Sequence, residues 1–164
     1  MATILVLDDL ATSRTLMSRI LTDMNNQLKV VDFNDGRDAL SWAQENPVDL
    51  LLVDYSMPGM DGIEFTKQFR KLPQHRDVPL VFITISEEHD VRLHALEAGA
   101  TDFLNKPVDH YELRARCNNL LMLRRHQQSL KDRANWLENQ VASQARKIAQ
   151  LEEALAAAQA TSSR

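Results

Sequence analysis

Five polar side chains could do chemistry together: the carboxylates of Asp8, Asp9 and Asp54, the hydroxyl of Thr84 and the ammonium of Lys106. Three carboxylates brought to one place repel one another, and a hard divalent cation is their natural neutraliser. An oxygen ligand set without His or Cys suits Mg²⁺ or Mn²⁺ and argues against zinc. Magnesium keeps several waters and binds through one or two carboxylates plus phosphate oxygens, which implies a phosphoryl substrate. A lysine then supplies fixed positive charge, and a threonine hydroxyl a donor for the equatorial oxygens of the group in transfer. No serine or cysteine nearby has an adjacent base, so the nucleophile is a carboxylate. Asp54 is the candidate.

These residues meet only if the intervening chain gathers them. Short apolar runs at 3–7 (TILVL), 28–33 (LKVVDF), 49–53, 79–84 (PLVFIT) and 102–104 (DFL) predict strands buried on both faces and therefore parallel. Between them, helical spacing is carried by Leu16, Ile20 and Met24, then Ala39, Leu40 and Ala43, then Ile63, Phe65 and Phe69, and finally Val91, Leu93, Ala95 and Leu96. Alternating β and α segments predict an α/β fold, a doubly wound five-stranded parallel sheet with right-handed crossovers. Ligands of such sheets sit at the carboxyl ends of the strands, where the strand order reverses. Asp8 and Asp9 follow the first run, Asp54 follows the third, Thr84 ends the fourth and Lys106 follows the fifth. A carboxylate after a strand often merely caps the next helix. Capping does not account for five polar groups at one rim.

The runs ILVLDD, LLVDYSMPGMDG, PLVFIT and GATDFLNKP, in that order over residues 1 to about 123, resemble the response-regulator receiver family. The resemblance implies a flavodoxin-like receiver fold in which Asp54 attacks a phosphohistidine on a sensor histidine kinase or phosphotransfer protein. It further implies that Asp9, Asp54 and the backbone carbonyl of Ser56 bind Mg²⁺, with Asp8 joining the metal cluster, often through water. Lys106 would pair with the phosphoryl group or with Asp54, Thr84 would reach the phosphoryl oxygens, and Phe103 would be the aromatic that turns inward as Thr84 moves. The Lys106–Pro107 bond is implied to be cis. Two positions depart from the common pattern: Ile85 follows Thr84 where a small residue is usual, so its branched bulk is expected to restrict access, and Phe103 lacks a tyrosine's hydroxyl.

After Pro107 there is no further Gly or Pro, and Arg, Gln, Leu and Ala dominate, which predicts one long helix or a helix with a brief break. In heptads, position a takes Leu120, Gln127, Ala134, Val141, Ile148 and Leu155, and position d takes Leu123, Leu130, Leu137, Gln144, Leu151 and Ala158. β-Branched residues at a with Leu at d favour a parallel two-stranded coiled coil, and Arg133 with Glu138 and Lys147 with Glu152 would make attractive flanking pairs. A lone helix folding back on its own domain would show a wider apolar stripe. The expected division is a receiver at 1–123, a signalling helix forming a homodimer at 124–160 and a tail at 161–164. The segment NLLMLRRHQQSL with RANWLE is similar to linkers that precede HD-GYP cyclic-di-GMP phosphodiesterase domains and, less specifically, GGDEF cyclases. The chain is therefore expected to drive a cyclic-di-GMP related output domain that it does not itself contain and to be no effector enzyme. The alternative is a complete single-domain regulator whose helix docks a partner protein.

Other function classes fit poorly. The 164 residues, 44% hydrophobic, suffice for one domain and an appendage, and no run approaches the roughly eighteen apolar residues of a membrane span. With two aspartates by position 9 and one cysteine, Cys117, the chain is expected to be cytoplasmic and the thiol structural. A dehalogenase-type phosphatase places its acid two residues after the nucleophile, where Ser56 stands here. His89-Asp90 lacks the further ligands of a metal phosphohydrolase. Arg114, Arg116, Arg124, Arg125, Lys131 and Arg133 resemble the basic region of a zipper protein, but Leu113, Leu120, Leu121 and Leu123 interleave with them, so direct nucleic-acid binding is not expected. Trp136, at heptad position c, is predicted to be exposed.

Overall fold

The computed structural model describes residues 1–25, 27–85 and 89–162, the side chains of 89–91 and 161–162 excepted. It divides into two compact units, Met1–Arg124 and Arg125–Arg164. In the first unit five strands, β1 (Ala2–Leu7), β2 (Leu28–Phe33), β3 (Leu50–Asp54), β4 (Leu80–Thr84) and β5 (Asp102–Asn105), form one parallel sheet in the order β2-β1-β3-β4-β5. Helices α1 (Ala11–Met24), α2 (Gly36–Glu45), α3 (Gly62–Arg70) and α4 (His89–Glu97) connect them, and α5 (His110–Ser162) follows β5. This is the predicted doubly wound α/β fold, with the long C-terminal helix observed as one element.

The period-2 alternation of the strands sorts their side chains onto two cores. Ile4, Val6, Leu50, Leu52, Val81 and Ile83 point to the face covered by Met17, Ile20 and Leu21 of α1 and by Leu113, Cys117, Leu120 and Leu121 of α5. Leu5, Leu7, Leu51, Val53 and Phe82 point to the other, covered by Ala39, Leu40 and Ala43 of α2, Phe65 and Phe69 of α3 and Ala95 of α4. Cys117 is fully buried, its thiol pushed up to about 12 by that burial, which fits a structural role.

Several sequence expectations need correction. Two-sided burial holds for β1, β3 and β4 but not for the two edge strands: β2 residues are half-buried or exposed throughout, and in β5 only Leu104 is buried. On α1 the inward face is Met17, Ile20 and Leu21, while Leu16 is exposed, because one residue of phase rotates a helix by about 100°. On α4 only Ala95 of the expected apolar set is buried; Leu93 and Leu96 are exposed, and the side chain of Val91, like His89-Asp90, lies outside the described residues. Ile63 is half-buried. Leu120, expected in the dimer seam, is only 9% exposed and belongs to the core of the first unit, whereas Leu123 is 47% exposed. Residues 163 and 164 of the expected tail also lie outside the described residues.

Asp61 and Asp35 cap α3 and α2 through bonds from Glu64 N at 2.8 Å and Arg37 N at 2.7 Å. Just inside the first of these caps, Gly62 donates its N–H to the Tyr55 carbonyl at 3.1 Å. A Cβ at this position would lie 2.5 Å from the Asp54 carbonyl oxygen and 2.7 Å from Phe82 Cε1. Gly62→Ala must therefore push α3 away from the end of β3, and a loss of about 1–3 kcal/mol is expected from such overpacking. Urea denaturation checks this, and an unchanged midpoint would show that the packing yields without cost.

Candidate functional site

Strand order reverses between β1 and β3, because the chain winds from β1 out to β2 and from β3 out to β4. The loops leaving β1 and β3 therefore part, and a crevice opens at their carboxyl ends. A cavity of about 220 Å³ lies there, lined by Asp9, Leu10, Asp54, Ser56, Thr84, Ile85 and Lys106. One carboxylate oxygen from each of Asp8, Asp9 and Asp54 lies within 4.8 Å of the other two.

Lys106 Nζ bridges two of these carboxylates, at 3.0 Å from Asp8 Oδ2 and 3.1 Å from Asp54 Oδ1. Its position follows from β5 pairing with β4 and from the bond of its N–H to the Thr84 carbonyl at 2.8 Å. The Lys106–Pro107 peptide is cis, as the sequence resemblance implied. Asp8 is fully buried and accepts three hydrogen bonds, which leaves Oδ1 with one acceptor site open: Oδ1 accepts from Leu10 N at 2.8 Å, and Oδ2 accepts from Ser13 Oγ at 2.7 Å as well as from Lys106. Asp9 is half-buried and Asp54 buried at the end of the central strand.

Burial pushes the Asp54 carboxyl above its ordinary range; the hydrogen bond and charge of Lys106 pull it down, Asp8 and Asp9 push it up, and the net is upward. Burial alone would pull the Lys106 ammonium down, but Asp8 and Asp54 outweigh it and hold it above a free lysine. Among the described residues Lys106 is thus the one cation paired with these carboxylates, on Asp8 and Asp54, and three carboxylates share it. Their oxygens, crowded and short of positive charge, fit a hard divalent cation.

Residues 4–118 match the response regulator receiver domain. The chain belongs to the response regulator receiver family. The receiver resembles the cyclic di-GMP phosphodiesterase response regulator RpfG of Xanthomonas campestris pv. campestris, with 51% identity over 138 residues, which cover 84% of this chain and 36% of RpfG. The chain thus spans about a third of that relative. Among solved structures it is similar to the chemotaxis protein CheY4 of Vibrio cholerae, with TM-score 0.69 and 31% identity over 73% of this chain and 98% of that one. It is also similar to the receiver domain of the sensor histidine kinase PA1611 from Pseudomonas aeruginosa PAO1, whose structure has a magnesium ion coordinated in the active site cleft. That match has TM-score 0.67 and 27% identity over 73% of this chain and 97% of the other. Among the described residues no helix is long and apolar enough to cross a membrane.

Within the receiver the structure brings Asp8, Asp9, Asp54, Thr84 and Lys106 to one crevice, with Ser56 on its lining. Phe103 is half-buried and stacks on Phe82 at 6.5 Å, and Phe82 in turn meets Tyr55 edge-on at 6.0 Å. Ile85 lines the cavity while 78% exposed, so it stands at the mouth. The sequence did not point to Ser13, which satisfies Asp8, or to Arg14, whose Nη1 donates to the carbonyls of Asp8 and Asp9 at 2.7 and 3.0 Å. Only their place in the turn after DD could have flagged them.

A raised carboxyl pKa has a definite sign for stability. The folded state prefers protonated Asp54, so Asp54 costs nothing below its unfolded pKa and destabilises the fold as pH rises through the higher folded value. Asp54→Asn removes that cost. In metal-free buffer the variant is expected to melt above wild type at neutral pH, with the gap closing as the pH falls toward the unfolded carboxyl range, about 4. Thermal midpoints with chelator across that range check it; a variant less stable at neutral pH would mean that the Lys106 pair dominates instead.

Proposed function

We propose that this receiver accepts a phosphoryl group on Asp54 from a phosphohistidine of a sensor kinase or phosphotransfer protein. The observation carrying this is the buried Asp54 carboxylate at the end of β3, held by Lys106 and open to a cavity lined by Thr84 and Ser56. An Asp54 oxygen attacks phosphorus, a P–O bond forms, the P–N bond to the imidazole breaks, and the histidine leaves carrying its bonding pair. Lys106, already 3.1 Å from Oδ1, holds the carboxylate and offsets charge on the incoming oxygens. The Thr84 hydroxyl is the second donor for them, and a Thr84 movement lets Phe103 pack inward. Asp9, Asp54 and the Ser56 carbonyl would hold Mg²⁺, or Mn²⁺, with Asp8 reaching it through water since its oxygens already accept three hydrogen bonds. Such an ion supplies charge neutralisation at the phosphoryl oxygens.

Intact-mass analysis after incubation with acetyl phosphate and Mg²⁺ tests this. Wild type is expected to gain one phosphoryl adduct, and Asp54→Asn none. An adduct that persists in the variant, or no adduct together with no beryllofluoride binding, sinks Asp54 as acceptor. A beryllofluoride complex without an adduct would keep Asp54 as the acceptor and rule out acetyl phosphate as its donor.

The output side of the proposal rests on the second unit. Leu130, Leu137, Val141, Ile148, Leu151 and Leu155 are 49% to 70% exposed on a helix that makes no tertiary core of its own. Long helices draw most of their stability from packing an apolar face, and this face has the two-per-seven width of a coiled-coil seam. A second copy supplies the match, with Arg133 to Glu138 and Lys147 to Glu152 as flanking pairs; in the division 1–123 and 124–160 the seam then runs from Leu123 rather than Leu120. The likeness to RpfG, at 138 residues, is longer than the first unit and so reaches into this helix. That favours a cyclic-di-GMP related output over a free-standing docking regulator. Turnover of cyclic di-GMP by these 164 residues alone would contradict it.

Replacing Leu137 and Ile148 together with Asp is expected to give a monomer by sedimentation while metal binding at the receiver persists. A wild type already monomeric at tens of micromolar, well above the range of a weak micromolar affinity, would remove the seam.

A further inference from the structure

Three acidic side chains line up at the crevice, but they are held very differently. Asp8 has three donors on its carboxylate, and Asp54 is anchored by β3 and Lys106. Among the described residues the Asp9 carboxylate takes part in no hydrogen bond or ion pair, so no partner holds its rotamer and the direction in which it leaves the chain, its Cα–Cβ bond, is set by the backbone.

That backbone is gripped by one side chain. Arg14, on the first turn of α1, donates Nη1 to the Asp8 carbonyl at 2.7 Å and to the Asp9 carbonyl at 3.0 Å. These carbonyls belong to the two peptide planes that flank the Asp9 Cα. Planar peptides leave only the two dihedrals at that Cα free, so fixing both planes fixes the direction of its Cβ. The guanidinium is itself oriented by β2, through Nε to Asp32 Oδ2 at 3.1 Å, and the Arg14 side chain is 16% exposed. The Asp8 N–H bonds to the Phe33 carbonyl at 3.2 Å, so the same strand end holds the loop from both sides.

We propose that Arg14 is a positioning residue for divalent-cation binding, which aims the otherwise unheld Asp9 carboxylate into the crevice by clamping the peptides on either side of it. The proposal rests on the reading of the crevice as a cation site. It goes against simple electrostatics, because Arg14 is a cation beside an acidic cluster and its removal, on charge alone, would tighten cation binding. A planar guanidinium can hold two carbonyls and a carboxylate at once; an ammonium on a flexible stem lacks that fork.

Mn²⁺ affinity of the full chain, followed by the paramagnetic resonance of free Mn²⁺, separates the two. Arg14→Gln and Arg14→Lys are both expected to bind roughly tenfold more weakly than wild type, the size usual for loss of a group that orients a ligand. Arg19→Gln, an exposed charge on the same helix, serves as the charge control and is expected to bind as wild type. In an Asp9→Ala background, Arg14→Gln is expected to add nothing, since the clamp acts through Asp9; a general structural role would add its full cost again. Metal-free melting curves establish that each variant is folded. Affinity in Arg14→Gln equal to or tighter than wild type, or additivity with Asp9→Ala, overturns the clamp. A wild type that binds no Mn²⁺ overturns the cation site itself, and the clamp with it.

Discussion

One ammonium set among three carboxylates governs the architecture of the crevice. Lys106 reaches both Asp8 and Asp54, yet with Asp9 beside them the group still carries excess negative charge in a partly desolvated place. Burial of unpaired charge is costly, so the protein must gain elsewhere what it loses here. It does so through two buried apolar cores, one on each face of the sheet, that meet on its central strands. The imbalance is what makes the site responsive: a cation or a phosphoryl group with its own metal changes the local charge, and the neighbouring side chains have a new balance to meet.

The response has a physical route. Asp54 is followed by Tyr55, whose ring meets Phe82, and Phe82 stacks on Phe103 of β5, the strand that delivers Lys106. Gly62 packs without a side chain against the carbonyl of Asp54 and the same Phe82 ring. Asp54 therefore adjoins aromatic packing on the α3 side, whereas the backbone of Asp8 and Asp9 is tied to β2, directly through the Phe33 carbonyl and through Arg14 of α1, which also pairs with Asp32. Packed rings rearrange between discrete arrangements rather than deform smoothly.

Most of the fold and the five polar groups of the crevice were legible in the sequence, because buried parallel strands write themselves as unbroken apolar runs and their carboxyl ends collect the chemistry. Helix phase was less legible. Leu16 and Met17 are both apolar, and only packing against β1 and β3 selects Met17 as the buried one. On α4 hydrophobicity misleads, since Ala95 faces the sheet where space is short while Leu93 and Leu96 face outward. Arg14 and Ser13 were invisible for another reason: their partners are a backbone carbonyl pair and a carboxylate brought close by a turn, and bonds to backbone leave no pattern in residue types.

The helix α5 carries two apolar faces of different width along its length. Up to Arg124 its buried residues, Leu113, Cys117, Leu120, Leu121 and Arg124, fall three, four and one apart, a face broad enough to lie on a sheet. From Arg125 on, the branched aliphatic residues Leu130, Leu137, Val141, Ile148, Leu151 and Leu155 keep to the a and d positions, and every described side chain from Gln128 onward is exposed. A narrow stripe cannot cover a sheet and leaves too little area for a helix to stand alone, but it suits a matching stripe on a like helix. Leu120 marks where the two patterns overlap. It satisfies the heptad frame by spacing and the sheet by contact, and burial in the core decides in favour of the sheet because an aliphatic side chain already removed from water gains nothing further from a partner. In the proposed dimer the seam would therefore start one position later in the frame, at Leu123, which is the first of the heptad residues with surface left to bury.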